Sequence, residues 1–552
     1  MKRSSLLTML LLALFSACNK PLPEPVPAEP DKPVTPDPPA VVPSRDEVAE
    51  HDFLMGSILA FQRDHRRGSY LDGTGTASTT YYNMPLVDLL HFESEDDDWW
   101  NSIVEQYEYA GLDFVMPNCR GRLPRADTEP GYDVDHGDPT RIRDLIAAMK
   151  RRGTERLKIA IFDDAPASWA AARNKDLYNS YVTVRGSARE DAYPIDDLDA
   201  FYKYVWDYNI KLAFSHFYGE NAENNKYLLR VDGKPFLMIW SPNGFVNRSY
   251  GGEPLDCTKH LKAVLDRLHA DFLETFGEEI HICVDRAFAE RDSYVTRETV
   301  ESMNDWFNTV STGSTYGWSC HTLNNFTVGV CVPGFVSNDQ SGSLMMVDAD
   351  HGNHLRTSLD KMIRFKADVV VLEGFSDVFE NAAFWRSTDT RYYDFPNQRL
   401  NLVRRYSSTE PYPALLRVEA ESCDAYKDAT PGNSGAQYRQ GDLDVKRCTD
   451  SFPDWCITAT QAGEWLRWEE LPYCAGKTVL RIRYASTAPS QVRFEVGDLA
   501  GTEVTLPSTG GAWSEADAAE VQFETHGWHS TVLHIVSGNP DINCFSVCSA
   551  SH

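Results

Sequence analysis

Between Ser57 and Leu372, short apolar runs rich in β-favouring residues alternate with longer segments whose apolar residues recur every three or four positions. This is the pattern of strand–helix units around a parallel sheet. It predicts strands near Ser57–Phe61, Leu112–Met116, Leu157–Phe162, Lys211–Phe214, Phe236–Trp240, Ile280–Val284, Val328–Val332 and Val369–Leu372, the number that closes an α/β barrel. Helical spacing covers Trp99–Ala110, Thr140–Arg152, Leu198–Tyr208, Asp256–Phe276 and Leu355–Lys366. Gly111, Gly153 and Gly277 stand where a left-handed C-terminal cap is wanted. The competing arrangement, an open doubly wound sheet, wants a Gly-rich phosphate loop after its first strand, and Phe61-Gln62-Arg63-Asp64-His65 is not one. The expected fold is therefore an α/β chain, a (β/α)8 TIM barrel.

Past Pro413 the period changes. Short alternating segments such as Leu480–Tyr484 and Val532–Val536 are separated by turn sequences, Thr430-Pro431-Gly432-Asn433 and Ser508-Thr509-Gly510-Gly511. That texture predicts an all-β jelly-roll sandwich over 414–552 behind a barrel over 46–413. Ahead of both, residues 1–18 carry a basic start, an apolar run Leu6–Phe15 and Ser16-Ala17-Cys18. The run is too short to span a bilayer core of about 30 Å, so it predicts a cleaved signal. Small residues before a cysteine resemble the bacterial lipobox, which implies lipidation of Cys18 and an envelope protein held at the outer membrane by that anchor alone. Residues 19–45 are rich in Pro, Glu, Ala and Val without apolar period, as expected of an extended tether.

Charge narrows the partners. With 53 basic and 81 acidic side chains the formal net charge is −28, which opposes nucleic acid, because binding it requires basic patches that displace counterions. Twelve cysteines in an exported chain point to an oxidising compartment. Five lie in the barrel (Cys119, Cys257, Cys283, Cys320, Cys331). Six lie beyond it (Cys423, Cys448, Cys456, Cys474, Cys544, Cys548), an even set that suggests disulfides in the small domain. No Cys-x-x-Cys or His-Glu-x-x-His spacing supports zinc, and no cofactor is expected for catalysis.

A barrel places its chemistry at the C-terminal ends of its strands. Read off the predicted ends, the candidates are Gln62 and Asp64, Asn118, Asp163 and Asp164, His216, Trp240 and Asn243, Asp285, then Glu373, Asp377 and Glu380. Carboxylates and aromatics without a metal motif suit glycoside hydrolysis, in which one carboxylic acid protonates the leaving oxygen and a carboxylate attacks or activates water. Asp377 and Glu380 are near enough in sequence to share a pocket, where like charge and burial would raise one pKa. Glu373 and Asp163 are substitutes in those roles. Asp163, Asp164, His216, Trp240, Asp285 and Glu373 are expected to contact substrate. A lyase or esterase reading lacks a Gly-x-Ser-x-Gly elbow.

The run Val371-Leu372-Glu373-Gly374-Phe375-Ser376-Asp377-Val378-Phe379-Glu380-Asn381 resembles the closing strand and loop of glycoside hydrolase family 99, the endo-α-mannosidases and mannanases, and of the α-1,3-glucanases of family 71. Ala110-Gly111-Leu112-Asp113-Phe114, Asp232-Gly233-Lys234-Pro235 and Val332-Pro333-Gly334-Phe335 agree in order, so the likeness spans roughly 52–406. It is similar to an uncharacterised branch of such barrel lipoproteins in gut-type Bacteroidetes. The resemblance implies that Asp377 and Glu380 fall on the two catalytic glutamates, as base and acid, on an α-mannan-type or other glycan. Asp377 is a methylene shorter than the family's residue, Val378 replaces its Trp and Asn381 its Gly. A catalytically silent glycan-binding lipoprotein is the alternative.

Residues 414–552 resemble family 6 carbohydrate-binding modules through Glu419-Ala420-Glu421, Thr430-Pro431-Gly432-Asn433-Ser434-Gly435, Ala462-Gly463-Glu464-Trp465-Leu466, Ile482-Arg483-Tyr484-Ala485-Ser486, Thr509-Gly510-Gly511-Ala512-Trp513 and Ile542-Asn543. That resemblance implies a structural calcium at Glu419 and Glu421, and a sugar cleft using Trp513 and Asn543. The second aromatic wall of that cleft falls on Ile457-Thr458-Ala459-Thr460, which has none.

Overall fold

The computed structural model describes residues 52–60, 82–87, 96–121, 137–164, 202, 205–242, 245, 260–306, 317–338, 344–378, 380–407, 411–450 and 455–549. Cys18 and the tether, Gln62, Asp64, Asn243 and Cys257 lie outside them. The first domain is built on β1 (Leu54–Leu59), β2 (Phe114–Cys119), β3 (Lys158–Ile159), β4 (Ile161–Asp164), β5 (Arg230–Val231), β6 (Lys234–Trp240), β7 (His281–Asp285), β8 (Ser302–Asn304), β9 (Trp318–Leu323), β10 (Phe326–Cys331), β11 (Phe335–Asn338), β12 (Leu344–Val347) and β13 (Val369–Leu372).

Hydrogen bonds run in the order β8-β7-β6-β4-β2-β1-β13-β10-β9, with β3 leading into β4 beside β2. Every pair along the path from β8 round to β10 is parallel, and two short hairpins are antiparallel, β9 on β10 and β5 on β6. Among the described residues, strands β8 and β10 lie against each other without pairing, so the parallel sheet is nearly closed. Of the expected barrel, the described residues show a mixed α/β architecture with a nearly closed parallel sheet.

Most predicted strands lie within two or three residues of the observed ones, because parallel strands buried on both faces read as apolar runs. Lys211–Phe214 is the exception: it lies in a helix, Lys211–Ser215, that continues from the π-helical turn Trp206–Ile210. Its buried residues Trp206, Ile210, Ala213 and Phe214 recur at helical, not alternating, spacing. The missing strand is β8, whose Ser302-Met303-Asn304 carries no apolar run.

Side chains of these strands divide by parity into two clusters. Ile58, Phe114, Met116, Phe162, Phe236, Met238, Cys283, Val328, Val330, Val369 and Val371 form the inner one. Leu59, Val115, Ile161, Leu237, Ile239, Val284 and Val370 belong to the outer one, with helices Asp96–Tyr109, Ile142–Arg152 and His260–Phe276. Period-two alternation therefore states which residue at each strand end faces the interior.

The C-terminal domain is a pair of antiparallel sheets. One has the order 445–447, 455–457, 541–549, 476–485, 514–523, and the other 425–427, 465–473, 527–537, 490–496, 499–500. Trp468 and Phe494 meet Phe545 between them, at 4.8 and 5.2 Å between ring centroids. The domain is docked on the first. Arg447 clasps Asp98 of the helix Asp96–Tyr109 through two bonds of 2.6 and 2.5 Å, and Arg405 meets Glu470 at 2.6 Å. Nδ2 of Asn397 donates to Asp424 at 2.7 Å. The structure joins none of the ten described cysteines in a disulfide. Among the described residues no helix is long and apolar enough to cross a membrane.

Candidate functional site

Strand β13 points its odd residues inward, and Glu373 continues that parity at the strand's C-terminal end, its N–H bonded to Cys331 O at 2.8 Å. The chain then turns sharply. Gly374 has φ +84°, and a Cβ there would stand 2.6 Å from the Ala382 side chain, so glycine is required. Phe375 N donates to Ile58 O at 2.9 Å, and Ser376 Oγ donates to Ala60 O. Ala382 and Ala383 both donate to Asp377 O, at 3.1 and 3.0 Å, and Val336 N of β11 donates to Glu380 O at 2.7 Å. Phe375 is wedged between Tyr107 and Phe384, with centroids 4.3 and 4.8 Å away. The loop is therefore fixed from several sides.

The result is three carboxylates in one place. Oxygens of Glu373, Asp377 and Glu380 lie within 4.8 Å of one another, and Glu380 N donates to Asp377 Oδ1 at 3.0 Å. Asp164 also presses on this group electrostatically, from the inward side of β4, and is itself paired with Arg120 at 3.1 Å. Arg120 continues the inward parity of β2. Burial, then the charge of Asp377, pushes the Glu380 carboxyl up to about 8, against the opposing pull of Arg120. Burial first, then Asp377, Glu380 and Asp164, holds the Glu373 carboxyl well above the usual range, and its Oε2 is buried without a hydrogen-bond partner. Carboxylates this close cannot all ionise cheaply, so the cluster keeps protons near neutral pH.

Other predicted residues divide by parity. Trp240 and Asp285 face inward at the same end of the sheet. Trp240 packs on Trp306 at 5.6 Å, and Trp306 on Phe162 at 5.7 Å, forming an aromatic wall. Burial raises the Asp285 carboxyl to about 6, although its Oδ1 also accepts from Ala287 N at 2.7 Å.

Asp163 is a correction. It lies on the outward face of β4, fully buried and bonded by Asn209 Nδ2, and burial there drives its carboxyl up to about 8 away from the carboxylate cluster. His216 is another: it caps a helix rather than a strand, and its ring bonds the backbone of Pro139, with burial lowering its pKa. Arg120 and Trp306 were not among the sequence candidates. Parity counted from the end of β2 finds Arg120, whereas Trp306 follows β8, which no apolar run marks.

In the sandwich, Trp513 Nε1 donates to Thr449 Oγ1 at 3.0 Å, and Asn543 Nδ2 donates to the adjacent Asp450 at 2.9 Å. Asp450 is also gripped by Arg483 at 2.5 Å. The two predicted residues thus share one network, yet Asn543 is wholly buried and its Oδ1 accepts from Arg417 at 3.3 Å. It positions Asp450 instead of reaching a sugar.

Glu419 and Glu421 are buried as a calcium pair would be. Two guanidinium groups already neutralise Glu419, however: Arg417 at 2.8 Å and Arg152 at 3.5 Å. They would oppose a dication at that carboxylate, so the donor set does not fit calcium.

A family model described as a domain of unknown function, DUF5010, matches residues 51–425, and one described as a carbohydrate-binding module of family 35 matches residues 439–547. No curated protein matches the chain. Similar solved structures include the C-terminal family 6 module of a laminarinase from Zobellia galactanivorans, 18% identical, over 24% of this chain and 99% of that one, with TM-score 0.20. A family 6 module of Cellvibrio mixtus lichenase 5A, in complex with cellotriose, is 19% identical over 25% and 98%, with TM-score 0.20. A Podospora anserina β-(1,4)-mannanase carrying a family 35 module is 15% identical over 25% and 28%, with TM-score 0.19. Residues 439–547 are thus similar to a carbohydrate-binding module of family 35.

Proposed function

The chain belongs to the DUF5010 family, whose description names no activity, and from the chemistry of its own site we propose that the protein is a glycoside hydrolase acting on a poly- or oligosaccharide. The observation that carries this reading is the trio Glu373, Asp377 and Glu380, with oxygens within 4.8 Å and a proton held on Glu380 near neutral pH. Glu380 then serves as general acid, giving its proton to the leaving glycosidic oxygen. The spacing is short of the roughly 6.5–9.5 Å that an inverting pair leaves for water, and nearer the roughly 5–5.5 Å of a retaining pair. Asp377 therefore attacks the anomeric carbon as that bond breaks. Water hydrolyses the resulting ester, with Glu380, now ionised, taking the water's proton. Glu373 stays protonated and donates a hydrogen bond into the cluster. Trp240 and Trp306 offer faces on which a sugar ring stacks. The family 99 and 71 likeness of the loop implies the same acid role for Glu380, but a base role in place of attack for Asp377.

Incubating the full chain with a panel of plant, yeast and host glycans and measuring new reducing ends tests the reading. Turnover on one glycan class is expected. Binding through the C-terminal module with no turnover on any of them would favour the second reading, a silent glycan-binding protein, which the family 35 match supports. In either case Trp513→Ala is expected to weaken glycan binding, measured by affinity electrophoresis, by roughly tenfold, the order of one lost stacking wall.

The anchor belongs to the same proposal. Lipidated at Cys18, the protein partitions into the detergent phase on phase separation, and Cys18→Ser moves it to the aqueous phase. An unchanged partition would remove the anchor from the account.

A further inference from the structure

Two thiols of the C-terminal domain stand together. The strands 445–447 and 455–457 are antiparallel, with Val445 opposite Ile457, Lys446 opposite Cys456 and Arg447 opposite Trp455. Residues directly opposite share a face, and so do residues two apart, so Cys448 and Cys456 are diagonal neighbours on one face. Their side chains are in hydrogen-bond contact, and both are buried.

The residues beside Cys448 are tied to their surroundings. Arg447 clasps Asp98 of the first domain. Thr449 accepts from the Trp513 indole, and Asp450 accepts from Asn543 and Arg483. A bond at Cys448 would thus sit between the domain-docking arginine and the residues that hold Trp513.

We propose that Cys448 and Cys456 form an intradomain disulfide under oxidising conditions, locking the strand end that carries the Arg447 clasp and the Thr449–Asp450 support of Trp513. The oxidant is a small-molecule disulfide such as oxidised glutathione. One cysteine thiolate attacks it, displacing one glutathione thiolate and leaving a mixed disulfide; the other cysteine then attacks the protein sulfur and displaces the second. One S–S bond forms for the one consumed, and the two protein thiol protons end on two glutathione molecules. Burial keeps both the exchange and its reversal slow, which suits a structural bond. The inference stands independently of the hydrolase reading.

The test uses the full chain, incubated with oxidised glutathione or with dithiothreitol, then denatured in iodoacetamide and digested with trypsin. Cleavage after Arg447 and Arg467 releases one peptide holding both cysteines. From oxidised protein it is expected unalkylated and lighter by two hydrogens than the dithiol, and after reduction it takes two carbamidomethyl groups. The oxidised protein should melt roughly 5 °C higher, a difference that Cys448→Ser abolishes. Two carbamidomethyl groups on the peptide from oxidised protein, or either cysteine linked to another partner, would overturn the proposal.

Discussion

Replacing Glu380 with glutamine lowers kcat on a cleaved glycan by about 10²–10⁴, the contribution of a positioned general acid. The wild type loses activity as pH rises through about 8, where Glu380 gives up its proton, and the variant's residual activity lacks that alkaline limb. The same substitution has an opposite effect on stability. The Glu380 carboxyl titrates at about 8 when folded against 4.5 when free. Between those values the folded state binds a proton that the unfolded state has released, so stability falls as pH rises, and the full penalty is in place above about 8. Glutamine carries no charge to desolvate. Glu380→Gln should therefore melt a few degrees higher than wild type at pH 8.5, the difference vanishing below about pH 4.5. Calorimetry at the two pH values checks this, and equal melting at both would remove the buried-acid account of Glu380.

Glu105→Ala should destabilise the protein by about 3–5 kcal/mol, measured by urea denaturation, because it strands a buried cation. Arg386 is buried and held on both guanidinium nitrogens by Glu105, one of them at 2.8 Å. Its Nε donates to Asn397 at 2.6 Å, and Asn397 in turn reaches Asp424 of the sandwich. The ion pair thus links the chain leaving the carboxylate loop to the docked module. Replacing both partners together, Glu105→Leu with Arg386→Met, should recover much of the loss, since the uncompensated charge is then gone. A single substitution costing under about 1 kcal/mol would mean that water reaches Arg386.

Much of this fold can be read from hydrophobic pattern, for reasons that also locate the failures. Strands such as Val369–Leu372 and Lys234–Trp240 are buried on both faces and announce themselves as apolar runs. Ser302–Asn304 is buried by its place beside β7 and not by its composition, so no run marks it. Lys211–Phe214 offers too few residues to separate a period of two from one of 3.6. Its helical identity shows only when Trp206 and Ile210 are counted with it. The docking of the module is not legible either, because Arg447 and Asp98 are an ordinary pair of charges until 349 residues of chain bring them together.

In the site, position after the last strand together with the likeness of the closing loop singles out Glu373, Asp377 and Glu380, but position does not choose between Asp163 and Asp164. Neighbours in a strand face opposite ways, and only the inward Phe162 settles that Asp164 joins the cluster while Asp163 is spent on Asn209. Trp306 escaped because the strand before it escaped. The calcium expectation meets a different obstacle: Glu419 ends a strand and Glu421 lies in the turn after it, and Arg152, from a helix far away in sequence, already stands at Glu419.

The protonation state of the carboxylate trio can be observed directly. With glutamate labelled by carbon-13 at its carboxyl carbon, the signal missing from the Glu380→Gln spectrum is assigned to Glu380 and followed against pH. The account predicts a midpoint near 8. A midpoint in the ordinary carboxylate range, near 4.5, would contradict it, leaving no proton on Glu380 at neutral pH for a leaving sugar.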